Sequence, residues 1–333
     1  MSRYLVTGAT GFLGRHVVEA LRAHGHHVVA VSRGHEPTHQ ASRPASLADL
    51  GAETVRCDVL DTEALTAAAR GADGLFHCAG KVSRESADAA ELHRINVGGT
   101  RSALRAARAA GVPRLVLAST SGTVGISEDP DFVATEDSPT PLDLIQHFPY
   151  YRAKLFAEEE ALASGGNGLD VVSVNPSLLL GPGDIFGSST EDVRRFLDGA
   201  VPAAPAGGLS FVDARDAAQG LVLAMEKGKN GRRYLLGGAN MTVEAFFQKL
   251  ARVSGKPAPR LRMPRNRQVA RAAHSIFEKA LKVIGGTPAV DAVSVEMGQL
   301  FWYIDSGRAE RELSWKARDA SDTLRDTVAD LGY

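Results

Sequence analysis

Apolar residues in this chain fall into short runs, separated by longer stretches in which they recur every three or four positions. Runs at 4–6, 28–32, 54–57, 74–78, 114–119 and 171–175 are rich in Val and Leu and predict strands. Between them, helical patterns begin at Phe12 and lie near 61–70, 87–110 and 150–164, with Gly25, Gly71, Gly111 and Gly165 at or near their ends. Short apolar strands alternating with helices predict an α/β fold whose parallel sheet is covered on both faces. Right-handed crossovers make it doubly wound, with ligands expected at the carboxyl ends of the strands.

Beyond Asn175 the rhythm changes. Pro176, Gly181-Pro182-Gly183, Gly187 and the Pro/Ala/Gly-rich stretch 201–208 break the pattern. Strands at 209–213 and 233–236 then flank a helix starting near Ala214, and helical patterns follow at 242–254, 265–284 and 318–331. The expected organisation is a large domain over 1–175 with a return segment 209–236, and a smaller, mainly C-terminal annex over 176–208 and 237–333. Segment 264–284 is basic on one face and apolar on the other; it is expected to cover the cleft, with contact to a membrane surface as the rival.

Composition narrows the function classes. The 333 residues are 44% hydrophobic and 23% charged, which suits a packed core. The net charge of −1, with both signs interspersed, gives no electrostatic case for a nucleic-acid partner. No signal peptide and no run of 18 apolar residues is visible, so a cytoplasmic protein without a membrane span is expected. Cys57 and Cys78 are expected as buried free thiols. His24, His26 and His27 fall on a predicted turn and are expected in solvent, so no metal site is assigned.

Candidate chemistry begins at residues 7–14, Thr7-Gly8-Ala9-Thr10-Gly11-Phe12-Leu13-Gly14, set between the first strand and first helix. In that setting backbone N–H groups and a helix N-terminus hold a pyrophosphate. Gly8 allows the tight turn, Gly11 the approach of phosphate, and Gly14 close helix–strand packing. Farther on, Tyr150-Tyr151-Arg152-Ala153-Lys154 opens a predicted helix, and a spacing of four puts Tyr150 and Lys154 on one face. A tyrosine titrating near 10 needs a shift of roughly three units for acid–base work near neutrality. An ammonium one turn away, aided by an oxidised nicotinamide, is expected to lower it.

The glycine spacing resembles the T-G-x-x-G-[FY]-[IL]-G signature of extended short-chain dehydrogenases/reductases, the NAD-dependent epimerase/dehydratase superfamily. The similarity continues in order through residues 3–236. Cys57-Asp58-Val59 resembles the D-[VIL] pair at the adenine, and Cys78-Ala79-Gly80 the turn beside the adenosine ribose. Asn96 lies in a segment similar to N-V-x-G-T, and Asn175-Pro176 with Gly181-Pro182-Gly183-Asp184 resembles the segment shaping the nicotinamide pocket. Phe301 to Ala309 is similar to the dihydroflavonol-reductase and 3β-hydroxysteroid-dehydrogenase-like branch.

The resemblance implies a Rossmann fold and a Ser–Tyr–Lys site. Its spacing selects Tyr150 over Tyr151, which becomes a packing or substrate-facing residue, and it assigns the third role to Ser121, with Ser119 as the alternative. Cofactor contacts are then expected from Gly8, Thr10, Gly11, Phe12, Leu13, Gly14, Ser32, Arg33, Asp58, Val59, Ala79, Gly80, Asn96, Tyr150, Lys154 and Pro176. An NAD enzyme of this type carries a carboxylate near position 32; here Ser32-Arg33 favours NADP(H), with NAD(H) left open. The implied reaction interconverts a small ketone or aldehyde and its alcohol. The alternative is a nucleotide-sugar epimerase or dehydratase, but Leu209 stands where such enzymes carry a diphosphate-clamping arginine; Arg194 and Arg195 are placed to compensate. Leu178, Leu179, Leu180, Ile185 and Phe186 are expected to line an apolar substrate pocket. A homodimer through helices near 87–110 and 150–164 is expected by analogy.

Overall fold

In the computed structural model, which describes residues 1–34, 46–266, 269 and 292–333, the predicted apolar runs become strands. They are β1 (Arg3–Thr7), β2 (His27–Ser32), β3 (Glu53–Arg56), β4 (Gly74–His77), β5 (Arg114–Ala118) and β6 (Asp170–Pro176). The later strands are β7 (Leu178–Leu180), β8 (Ala203–Ala204), β9 (Gly208–Asp213), β10 (Arg233–Leu236), β11 (Ala239–Thr242) and β12 (Leu261–Arg262). A seven-stranded parallel sheet runs β10-β6-β5-β4-β1-β2-β3. The order reverses between β1 and β4, so the loops leaving these two strands diverge and open a crevice at their carboxyl ends.

Helices cover both faces, as continuous apolar strands require. On one side α1 (Phe12–Ala23) packs with the helix Ala214–Lys227. Val17, Val18 and Leu21 meet Ala217, Ala218 and Leu221 there, all fully buried. Each such aliphatic chain stabilises the fold by about 1.5–3 kcal/mol on burial. On the other side lie α2 (Thr62–Ala69) and the helices Gly99–Ala109 and Pro149–Ala163. An alanine stripe, Ala103, Ala106 and Ala107, sits flush against the sheet there.

The helix expected over 87–110 is interrupted. A short helix, α3 (Ala89–His93), runs into a π-helical stretch at Arg94–Gly98 before α4 (Gly99–Ala109). The cause is local: Asn96 is turned inward onto the loop after β4, and a Cβ at Gly99 would lie only 3.0 Å from Val59. After the short α5 (Leu142–Ile145) comes α6 (Pro149–Ala163), opened by a proline in its first turn, where no N–H bond is lost.

The return segment divides between sheets. α8 (Ala214–Lys227, following α7 at Glu191–Leu197) and β10 belong with the large sheet, but β9 pairs with β7 and β11 in a three-stranded sheet. Placing 209–213 beside the large sheet is therefore corrected: β10 occupies the edge next to β6, and the chain leaves that sheet at Ser177, whose N–H bonds Leu236. The small sheet packs on α9 (Val243–Ser254) and the helix Ala320–Asp330 through Phe211, Phe246, Leu250 and Leu324.

Segment 301–305 stitches the halves together. Phe301 exchanges backbone hydrogen bonds with Ser127, Trp302 N–H bonds Gly208, and Tyr303 C=O accepts from Ala134. Arg84 adds a two-toothed ion pair to Asp192 of α7, with nitrogen–oxygen distances of 2.7 and 3.2 Å. Among the described residues no helix is long and apolar enough to cross a membrane. Most of the amphipathic 264–284 segment lies outside the described residues.

Candidate active site

The glycine turn is built by contacts that admit no side chain. Gly8 has φ 67°, a left-handed conformation, and a Cβ there would lie 2.6 Å from the backbone of Ala79. A Cβ on Gly14 would lie 2.2 Å from the Gly8 carbonyl oxygen. Helix α1 starts at Gly11, which provides no side-chain cap, and its first turn contains no acid. Its leading N–H groups thus face the crevice unopposed, the arrangement that receives a phosphate.

That turn forms one end of a cavity of about 1270 Å³. This exceeds the roughly 300–1,000 Å³ of a site for one drug-sized ligand and suits two bound molecules. Gly8, Thr10, Gly11, Phe12, Leu13, Gly14, Ser32, Arg33, Asp58, Val59, Ala79, Gly80, Asn96, Ser121, Tyr150, Lys154 and Pro176 all lie on its wall. The residues fit a dinucleotide, with glycine backbone where phosphates would approach.

Asn96 and Thr7, which also lies on the wall, have structural duties. Asn96 is buried; its Oδ1 accepts from Lys81 N–H at 3.0 Å and its Nδ2 donates to Lys81 C=O at 3.0 Å, fixing the loop beyond Ala79-Gly80. Thr7, at the head of the glycine octet, pairs through its hydroxyl with His77 Nδ1 at 2.9 Å and accepts from Ala79 N–H. The exits of β1 and β4 are thereby tied together. Burial pushes His77 down to about 3, with Lys154 the second cause, so this histidine is neutral.

Tyr150 and Lys154 share the inner face of α6, as their spacing requires. Lys154 Nζ donates to the Ala118 carbonyl at 2.6 Å, at the exit of β5. Burial pushes the ammonium down to about 8, opposed chiefly by the Glu158 charge. Tyr150 differs from expectation. Burial, then Tyr151, push its phenol above the ordinary value, and Lys154, turned onto Ala118, does not lower it. The phenol is therefore protonated throughout the neutral range.

The exit of β5 forms a tight turn at Ser121–Thr123. Ser119 donates its hydroxyl to Glu158, and Thr123 donates to both Thr120 C=O at 3.0 Å and Glu158 at 3.1 Å. Ser121 is buried on the cavity wall, and its hydroxyl carries no such bond among the described residues. Tyr151 packs its ring on Trp302 (centroids 4.9 Å apart) and on Phe148 (6.2 Å). Gly122 makes room for it, since a Cβ there would lie 2.3 Å from the Tyr151 ring.

On the annex side, Leu178, Leu179 and Phe186 line the cavity, whereas Leu180 is buried in the annex core and Ile185 is off the wall. Side chains alternate along β7, which turns Leu180 away from Leu179. Val193, Phe246, Phe247 and Met297, which no local pattern singled out, add to the apolar wall, as does Trp302. Leu209 lies on the wall, Arg194 does not, and Arg195 does but is paired with Glu191 at 3.1 Å and Asp192 at 3.7 Å. Glu158 is the other residue missed, fully buried behind Lys154.

The sequence profile of the NAD dependent epimerase/dehydratase family matches residues 4–237. A putative dihydroflavonol 4-reductase of Synechocystis is 34% identical over 330 residues, 98% of this chain and 93% of that protein. Among solved structures, gox2253 superposes with a TM-score of 0.82 at 30% identity, covering 99% of this chain and 98% of its own. A nucleoside-diphosphate-sugar epimerase from Pseudomonas aeruginosa does so at 0.75 and 28% identity, over 99% of this chain and 97% of its own.

Proposed function

Because the chain belongs to the NAD dependent epimerase/dehydratase family, we propose that it is an NADP(H)-dependent reductase of a ketone or aldehyde with an apolar body, acting in both directions. The observation that carries this reading is that Ser121, Tyr150 and Lys154 share one cavity wall with the glycine turn and the apolar annex. Residues 1–175, with most of the return segment, would hold the dinucleotide, and the annex the substrate. The bound nicotinamide supplies hydride. Tyr150 donates the proton to the carbonyl oxygen, Ser121 holds that oxygen, and Lys154 binds the ribose hydroxyls. A phenol kept protonated by burial suits the reducing direction.

The reductase relative supports this reading, and the epimerase neighbour supports the alternative. Leu209 on the wall, where no guanidinium can clamp, and the pairing of Arg195 with Glu191 at 3.1 Å weigh against a diphosphate. The test is NADPH oxidation across ketones and aldehydes of graded size, beside calorimetric titration with UDP-glucose and UDP-galactose. Turnover should rise with the apolar body, and neither sugar nucleotide should bind at micromolar concentration. Micromolar binding, or epimerised product, would put the epimerase first.

NADP(H) preference rests on Ser32 and Arg33 at the exit of β2, neither position holding a carboxylate. Arg33 is exposed, and Arg56, paired in the sheet with Ser32, lays its chain along Gly34, 3.3 Å from where a Cβ would be. Two guanidinium groups there suit a 2′-phosphate. Arg33→Ala should weaken NADPH binding about tenfold, about 1.4 kcal/mol, and leave NADH unchanged. Equal binding of both cofactors in wild type and variant would end the claim.

A further inference from the structure

We propose that Glu158 is the positioning residue of this site: its buried carboxylate keeps Lys154 charged and pins the turn that carries Ser121. The proposal rests on the assignment of Lys154 to the cofactor. Glu158 lies one turn beyond Lys154 on α6 and is fully buried. Three separate segments converge on it. Its Oε2 accepts from Asn175 Nδ2 of β6 at 2.7 Å, from Thr123 of the exit turn at 3.1 Å, and from Ser119 at the end of β5. Arg233 Nε of β10 lies 2.9 Å from Oε1, a charge contact rather than an aligned hydrogen bond.

This is more than a core needs. Packing alone is served by apolar groups, and a buried carboxylate carries a desolvation penalty of several kcal/mol. Here its position has two effects. Asn175 also donates to Thr120 C=O at 3.0 Å, so the residues on either side of Ser121 are tied to Glu158 directly or through Asn175. The carboxylate is also the leading charge that holds up the Lys154 ammonium against burial.

The other titratable groups around Lys154 contribute little charge. From β4, His77 is neutral and the Cys78 thiol is pushed up to about 12 by burial. From α6, burial holds Tyr150 and Tyr151 protonated, Tyr151 at about 12. Arg233 bears on Lys154 through its share of the Glu158 charge.

NADPH affinity, measured by calorimetry from about pH 6 to 10, tests the proposal. Lys154 is useful to the ribose as an ammonium, so wild-type affinity should fall as pH rises past about 8. Glu158→Gln keeps the shape and loses the charge; its decline should begin about one pH unit lower, with binding about twofold weaker near pH 7 and roughly five- to tenfold weaker at about pH 8–9. Arg233→Met frees the carboxylate and should move the decline upward. Opposite shifts from two partners in one contact are not produced by loosened packing. A lower melting temperature with an unmoved pH profile in Glu158→Gln would overturn the proposal. Should that variant fail to fold, an unmoved profile in Arg233→Met would do the same. Wild-type NADPH affinity at every pH in Lys154→Ala would remove the underlying site assignment, and the proposal with it.

Discussion

Tyr150→Phe is expected to lower turnover by about 10³-fold, roughly 4 kcal/mol in the barrier, while NADPH affinity stays within about twofold. The substitution removes one hydroxyl and nothing that holds the fold. Tyr150 makes no side-chain hydrogen bond among the described residues, and its ring contact with Tyr151, centroids 5.1 Å apart, survives in Phe. Burial keeps the phenol protonated, so near neutral pH it is the proton source beside the cavity, while Lys154 holds its ammonium only up to about pH 8. Single-turnover kinetics with saturating NADPH, set beside calorimetric binding, separates chemistry from affinity. Tyr151→Phe should do far less, because that ring is committed to Phe148 and Trp302. If Tyr151→Phe proves the more damaging change, the catalytic assignment is off by one residue.

Gly14→Ala should cost about 1–3 kcal/mol in stability and weaken NADPH binding by more than about tenfold. The added methyl would sit 2.2 Å from the Gly8 carbonyl oxygen, 2.8 Å from its carbon and 3.2 Å from Ala9 Cα. All three are backbone atoms and cannot swing aside. Helix α1 has to withdraw from the turn, against the buried contacts of Val17, Val18 and Leu21. Its N-terminus then no longer points at the phosphate position. Gly25→Ala is the control. Gly25 has φ 76° but nothing within 4 Å of a Cβ, so the change should cost about 1–2 kcal/mol of backbone strain and leave binding alone. Melting temperatures and titrations of the two variants distinguish them; loss of NADPH affinity in both would remove the special role of Gly14.

Local physics accounts for what was legible in the sequence. Strands β1, β2, β4, β5 and β6 are predicted by apolar runs because both faces of the parallel sheet are covered there, leaving no need for polar alternation; β3, at the edge, is largely exposed. The glycine turn is legible because its steric demands fall within eight residues of chain. Tyr150 and Lys154 are legible because one helical turn brings them together without help from elsewhere.

What the sequence concealed is decided by distant segments meeting. Glu158 opens the run Glu158-Glu159-Glu160, which reads as a solvated helix face, and it is buried only because β5, β6 and β10 dock around it. The apolar wall draws on Val193, Phe247 and Trp302, three segments with no shared periodicity. Strand β9 looks like a member of the large sheet by pattern, yet β10 holds that edge and sends β9 to the annex. Residue order suffices for the individual strands, the glycine turn and the Tyr–Lys pair, since each follows from neighbours along the chain. Tertiary structure alone decided the charge environment of Lys154 and the shape of the substrate chamber. Burial and long-range Coulomb forces depend on which surfaces close together, and residue order does not state that.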